Sequence, residues 1–343
     1  MAISGLVFAP KQFQLAIAEE TIFGTAVISG FNELYVTSLS VLDYGGILKD
    51  DTPRHSGKRV RDVGDTFIQT AGGEYRIAFE CILTKITLDL LMYGVLQNVS
   101  EAVGTPFQKD YVIDETTTQP DFSADAGKFY SVLFHNPITS ESELLTSAIL
   151  ESLTINYDPG SNGGRLTASG TFVSGFAPNV GLDSSGYSLT SPGTAFYNVD
   201  DIVKKQINAT DMVLDGFSFT YTNGYGRVPA IGGNSSGDAE TYALTHYDME
   251  GSSITVKYDA NSKTFIDDFI AGTPRVIQID YGATGVDSAF IQILRSCQFD
   301  GFEKDVSNEL GAMVTIPFKL SQSGTTDAIE VEISNDEDRS WPT

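Results

Sequence analysis

The chain has 343 residues, with 21 Lys and Arg against 45 Asp and Glu, a formal charge of −24. That length suffices for about two domains around a large buried core, and the charge excludes a protein that grips nucleic-acid phosphates with a cationic surface. Residues 1–180 hold 11 basic and 21 acidic side chains and the remainder 10 and 24, so neither half is a basic domain.

The opening stretch MAISGLVFAPKQFQLAI has neither the basic region nor the long apolar run of a secretory signal, and no later segment reaches the length of a membrane span. The expectation is a soluble protein made in a cytoplasm, without membrane insertion. Cys81 and Cys297 are then two reduced core thiols.

Taken in order, the segments read mostly as strands. Glu33 to Val41 is a strand that leads into a long polar loop, Tyr44 to Thr66. Tyr75, Ile77, Phe79, Cys81 and Leu83 then alternate with Arg76 and Glu80. Lys85 to Val99 predicts a helix, rich in Leu and Met, with Ile86, Leu90, Tyr93 and Gln97 near helical spacing. A strand KFYSVLF follows, then a hairpin whose arms carry Leu153, Ile155 and Tyr157 and, after DPGSNGG, Leu166, Ala168 and Phe172. Phe217, Phe219 and Tyr221 mark a further strand, and so do Ile254, Val256 and Tyr258. Ser262 to Gly272 predicts a second helix with Ser262 as N-cap and Gly272 as stop. RVIQIDYG and a closing hairpin end the pattern, with Val314, Ile316, Phe318 and Leu320 on one face and Pro317 marking an edge strand or a bulge.

The order strand, loop, strand, helix, strand, hairpin thus occurs twice. The expected fold is mainly β: two tandem β-sandwich or half-barrel domains, each with one lateral α-helix. The boundaries are residues 1–176, a linker at 177–210, a second domain at 211–334 and an acidic tail at 335–343. Two unrelated sandwiches with similar patterns are the alternative.

No convergent catalytic site stands out. His55, His135 and His246 are scattered without metal-ligand spacing, which argues against a zinc site. GNSSG, Gly233 to Gly237, matches a serine-hydrolase elbow only in letters, because it lies in a Gly/Ser loop rather than between a strand and a helix; Ser235 with His246 is therefore a chance pairing. The pairs Asp50 with Asp51 and Asp267 with Asp268 read as solvated surface before they read as a cation site. The expectation is a non-enzyme with no cofactor and no metal. One cluster is unusual: RHSGKRVRD puts Arg54, Lys58, Arg59 and Arg61 into the long first loop, suited to contact with an acidic surface such as another copy of this chain. A solvated loop is the plainer alternative. The acidic C-terminal stretch DAIEVEISNDEDRS is either a counter-surface for that loop or a solvated tail.

The N-terminal QLAIAEETIFGTAV, with Glu20, Thr21, Gly24 and Thr25, followed by a strand, a charged loop, a Gly-Glu-led strand, one helix and a hairpin, resembles the tail tube (major tail) proteins of long-tailed, siphovirus-like bacteriophages. The ordered pattern covers about residues 12 to 175, and the second half resembles a degenerate second copy. The resemblance implies a structural virion protein whose inner sheet lines a channel and whose edges continue into neighbours. Its rings would be hexameric, or trimeric where two domains are fused, and would stack into a hollow tube through which DNA passes at ejection. Its partners would be further copies of itself, a tape-measure protein and a tail terminator, and its location the virion tail after assembly in the host cytoplasm. The loop Tyr44 to Thr66, with Arg54, Lys58, Arg59 and Arg61, would be the inter-ring contact, joined by the N-terminal arm Met1 to Pro10. A capsid decoration or fibre module, or a carbohydrate-binding or ligand-binding module, are the alternatives; Trp341 as the single tryptophan weakens the carbohydrate reading.

Overall fold

Strands form where alternation lets one face be buried, and the computed structural model of the chain is mainly β with two α-helices among the described residues. Those are residues 13–40, 42–43, 48–50, 67–69, 73–97, 100–102, 107–113, 122, 127–136, 141–229, 239–282, 289–306, 311–321 and 328–335.

The chain begins with β1 (Gln14–Glu19), β2 (Phe31–Glu33), β3 (Val36–Leu39), β4 (Leu48–Asp50), β5 (Phe67–Gln69), β6 (Tyr75–Ile82) and α1 (Lys85–Leu96). It continues with β7 (Ser100–Ala102), β8 (Phe107–Ile113), β9 (Tyr130–His135), β10 (Ser142–Tyr157), β11 (Thr167–Ser174), β12 (Asn179–Leu182) and β13 (Leu189–Thr190). The second half holds β14 (Ile202–Ile207), β15 (Thr210–Asp211), β16 (Leu214–Pro229), β17 (Ala239–Asp248), β18 (Ser252–Lys257) and α2 (Ala260–Ala271). It closes with β19 (Arg275–Tyr281), β20 (Phe290–Phe299), β21 (Glu303–Asp305), β22 (Met313–Leu320) and β23 (Ile329–Asn335).

A front sheet runs through both halves in the order β3–β6–β11–β10–β16–β18–β22, every neighbour antiparallel. The end of β20 and then β21 share the far side of β22, and β17 pairs with the C-terminal part of β16. Behind it lie β13–β2–β1–β9–β10–β12 in the first half and β15–β14–β19–β20–β23–β8–β7 in the second. No described pairing joins the two ends, so the sheet system is open. One apolar core fills the space between the layers, drawing Phe79, Ile155, Phe172, Phe219, Ile254 and Ile316 from the front and Val132, Ile279, Phe290 and Val331 from behind.

The pairings themselves repeat. β3–β6–β11–β10 with β9, β1 and β12 has the connectivity of β16–β18–β22–β20 with β19, β14 and β23. Even an irregularity recurs, since β3 shifts register on β6 between Val36 and Ser38 and β16 shifts on β18 between Leu214 and Gly216. In both copies a long strand leaves the back layer to join the front one: β10 does so as 16 continuous residues, and β20 with β21 does so over residues 290–305.

Several expectations are corrected in detail. Residues 177–210 are laid into the sheets, with β12 on β10, β13 on β2 and β14 on β19. The first helix stops at Leu96 rather than Val99, because Gln97 turns left-handed at φ 62 and its side chain bonds the Gly94 carbonyl (2.7 Å) and both backbone groups of Lys128 (3.0 and 2.6 Å). The second starts at Asp259, whose carboxylate accepts from the Asn261 and Ser262 amides; Ser262 sits three residues in and completes the capping box, and Gly272 ends the helix as expected. Strand β22 is internal, and Pro317 is tolerated because it stands where the partner on that side changes from β21 to β20. The acidic stretch DAIEVEISNDEDRS, read as a counter-surface or a solvated tail, contains β23, buried between β20 and β8, since Ile329, Val331 and Ile333 alternate inward.

Candidate assembly interface

The seam between the two copies is built from β10 and β16, paired from Ser152 opposite Thr222 to Tyr157 opposite Phe217. It exists because β10 bends out of the back layer and presents a fresh edge. The bend centres on Ser147, a non-glycine residue at φ 46, held by a carboxylate from the N-terminal element. Ser147 donates its amide (2.9 Å) and hydroxyl (2.6 Å) to Glu20, Ser131 donates a third hydrogen bond (2.6 Å), and the Gly24 amide donates to Ser147 Oγ (2.7 Å). Burial pushes the Glu20 carboxyl above its ordinary value, against the pull of these donors. Gly24 is needed at φ 79 to deliver that amide. Thr21 and Thr25 are exposed.

Helix α1 closes the seam from behind. The last carbonyls of a helix lack intrahelical donors, and here the second copy supplies them: Asn223 on β16 donates to Val95 O, and Tyr247 on β17 donates to Leu96 O (3.0 Å). On the helix's other side, buried Asp89 accepts from Lys109 (2.7 Å) and Tyr111 (2.8 Å) of β8. A helix wrapped in this way is apolar all round, and Thr87 through Leu96 are all buried.

The front face away from the core is lined with hydroxyls. Glu80, Ser169, Thr154 and Thr220 follow one another across four strands, and Thr167, Asn156, Ser218 and Ser253 do so one row along. Thr154 bonds Thr220 across the seam at 3.0 Å, and Thr255 bonds Thr315 at 3.0 Å. An open depression of about 510 Å³ lies on the seam, with Glu80, Asp158 and Asp215 among these hydroxyls. Of the cations on this face, Arg76 is held by Glu151 and by Glu74 (3.1 Å), Lys319 by Asp300 (3.1 Å), and Lys257 stands at the end of the β18 row.

The front sheet ends in two edges. β3 faces β6 on one side and no described strand on the other; β21 faces β22 and likewise no described strand beyond it. These are the strands equivalent to the two that meet at the internal seam, β16 and the outer part of β10.

Other singled-out residues are dispersed. Arg54, Lys58, Arg59, Arg61, His55, Asp51 and Ser235 lie outside the described residues, as does the arm Met1 to Pro10. His135 ends β9, where burial lowers its pKa, and His246 is exposed on β17. Asp268 is engaged by Arg275 rather than presented with Asp267 to a cation. Cys81 and Cys297 are free thiols in the core, and burial pushes Cys81 up to about 12. No described helix is long and apolar enough to cross a membrane. Asn223 and Tyr247 carried no sequence signal, because capping a helix more than 120 residues away leaves no local pattern. No protein-family model matches the chain, and no curated protein matches it either.

Proposed function

We propose that the chain is a non-enzymatic structural protein that assembles with further copies of itself by continuing the front sheet from β21 of one copy to β3 of the next. Three chains would then give a ring of six repeats, and stacked rings a hollow tail tube of the siphovirus kind that passes DNA. The observation that carries this reading is the internal seam: one copy of the repeat already adds to the other head to tail, and the same two edges, at the ends of the sheet, face no described strand. A head-to-tail contact between like units generates a ring if the rotation closes and a filament if it does not. Exposed edges are a hazard in a monomer and a joining surface in an assembly.

The hydroxyl-lined face supports a channel lining. A polyanion passes without adhering where phosphates meet hydroxyls, carboxylates and cations already neutralised by acids. In this reading Arg54, Lys58, Arg59 and Arg61 serve contacts between rings, a tape-measure protein and a terminator are the further partners, and the virion tail is the location.

The test is direct. The internal pair Asn156 opposite Ser218 corresponds to Asp305 opposite Ser40 between copies. The double variant Ser40→Cys with Asp305→Cys should form intermolecular disulfides under mild oxidation, and electron microscopy of the concentrated wild type should show rings or hollow tubes of threefold symmetry. Filaments without a lumen would favour a fibre module. Unlinked single chains at every concentration would defeat the reading.

A further inference from the structure

The two helices are equivalent in the repeat and differ in what covers them. Each has 12 residues, a capping box at its start and a left-handed C-cap, so Thr84 corresponds to Asp259, Val95 to Ile270 and Gln97 to Gly272. In α1 every residue from Thr87 onward is buried, Val95 fully so. In α2 only Ser262, Phe265 and Asp268 are buried; Ile270 is 76% exposed and Phe269 39% exposed. An isoleucine this open, one residue from a half-exposed phenylalanine on the same turn, is an apolar surface without a cover in the single chain.

What covers α1 at that position is the other copy of the repeat. The β16–β17 hairpin reaches across the seam, and Asn223 and Tyr247 close on the carbonyls of Val95 and Leu96. In the first repeat the hairpin β4–β5 holds the chain position of β16–β17, since it too follows the edge strand and precedes the strand that leads into the helix. Its strands read LKD and FIQ, with Leu48, Phe67 and Ile68 as the apolar residues.

Building on the sheet-continuation reading, we propose that the exposed end of α2, centred on Ile270 and Phe269, is the seat of the β4–β5 hairpin of a second copy of this chain. The occupant follows from the repeat: a copy that adds its β3 to β21 brings the hairpin following β3 to α2, as β16 brings its own hairpin to α1. The contact is lateral, within a ring, and distinct from the stacking role proposed for the cationic loop.

Two measurements on the full chain test this. Ile270→Asp changes an exposed side chain, so the variant should keep the circular dichroism and melting temperature of the isolated wild-type chain. It should also raise the concentration needed for assembly by at least about tenfold, as the loss of one buried anchor does. A photo-reactive benzophenone residue at position 270, in assemblies mixed from labelled and unlabelled chains, should cross-link between copies to peptides within residues 36–75. Unchanged assembly of Ile270→Asp, or adducts that map elsewhere or only within one chain, would overturn this contact and leave sheet continuation standing. A wild type that never assembles would overturn both.

Discussion

At the residue scale, one buried acid organises the long strand on which the seam depends. Glu20 takes three hydrogen bonds from Ser131 and Ser147 in a site that excludes water, so Glu20→Ala strands those donors and should cost about 3 kcal/mol in chemical denaturation. The pH dependence has a definite sign. Burial raises the folded pKa above the ordinary 4.5, so the folded chain holds a proton over a range where the unfolded chain has released it. Stability from this group rises as pH falls through the folded value and is lost as pH rises through it. Glu20→Gln should flatten the part of a stability profile that begins near the ordinary 4.5 and runs to higher pH, and an unchanged slope would show that another group sets it. The two thiols give a simpler outcome. Cys81 and Cys297 are fully buried, with Cys81 near 12, so a thiol reagent at pH 8 should label neither until the chain unfolds.

At the element scale, α1 is fixed to both copies, and its attachment to β8 is ionic. Breaking a buried pair from one side leaves a charge without compensation. Lys109→Met should therefore destabilise by about 3–5 kcal/mol, whereas the triple change Asp89→Leu, Lys109→Met and Tyr111→Phe should recover most of that loss, both read from urea midpoints. Front-sheet packing has its own narrow point at Gly170, where an added Cβ would sit 2.7 Å from the Ser152 carbonyl oxygen and 2.9 Å from the Phe79 ring. Gly170→Ala should cost about 1–3 kcal/mol through overpacking, despite alanine's better backbone entropy.

At the scale of the whole molecule, the two copies of the repeat are one folding unit. They share a continuous sheet, one core and helix caps that cross the seam. The insertion β7–β8, which has no counterpart between α2 and β19, extends the second copy's back layer by pairing β8 with β23. Either half expressed alone would expose the seam edge and the face of α1. The assembly reading makes a separate prediction for the cationic loop: changing Arg54, Lys58, Arg59 and Arg61 to Glu should leave single rings in electron micrographs and prevent their stacking. Normal tubes from that variant would remove the loop from the contact.

The sequence by itself determined the mainly β character, the two helices and the recurrence of elements, because alternation and helical spacing are local consequences of which face is buried. It also singled out Glu20 and Gly24, though as members of a short element rather than as the support of a bend over 120 residues downstream. Only the tertiary structure decided that residues 177–210 and 329–335 are strands within the sheets. Short or acidic segments become strands when a neighbouring edge offers hydrogen bonds, and that neighbour is remote in sequence. It likewise decided that β10 meets β16, that Asn223 and Tyr247 cap α1, and that α2 is left uncovered. Each is a non-local pairing, and the residues involved satisfy one another only once the long strand has bent to bring them together.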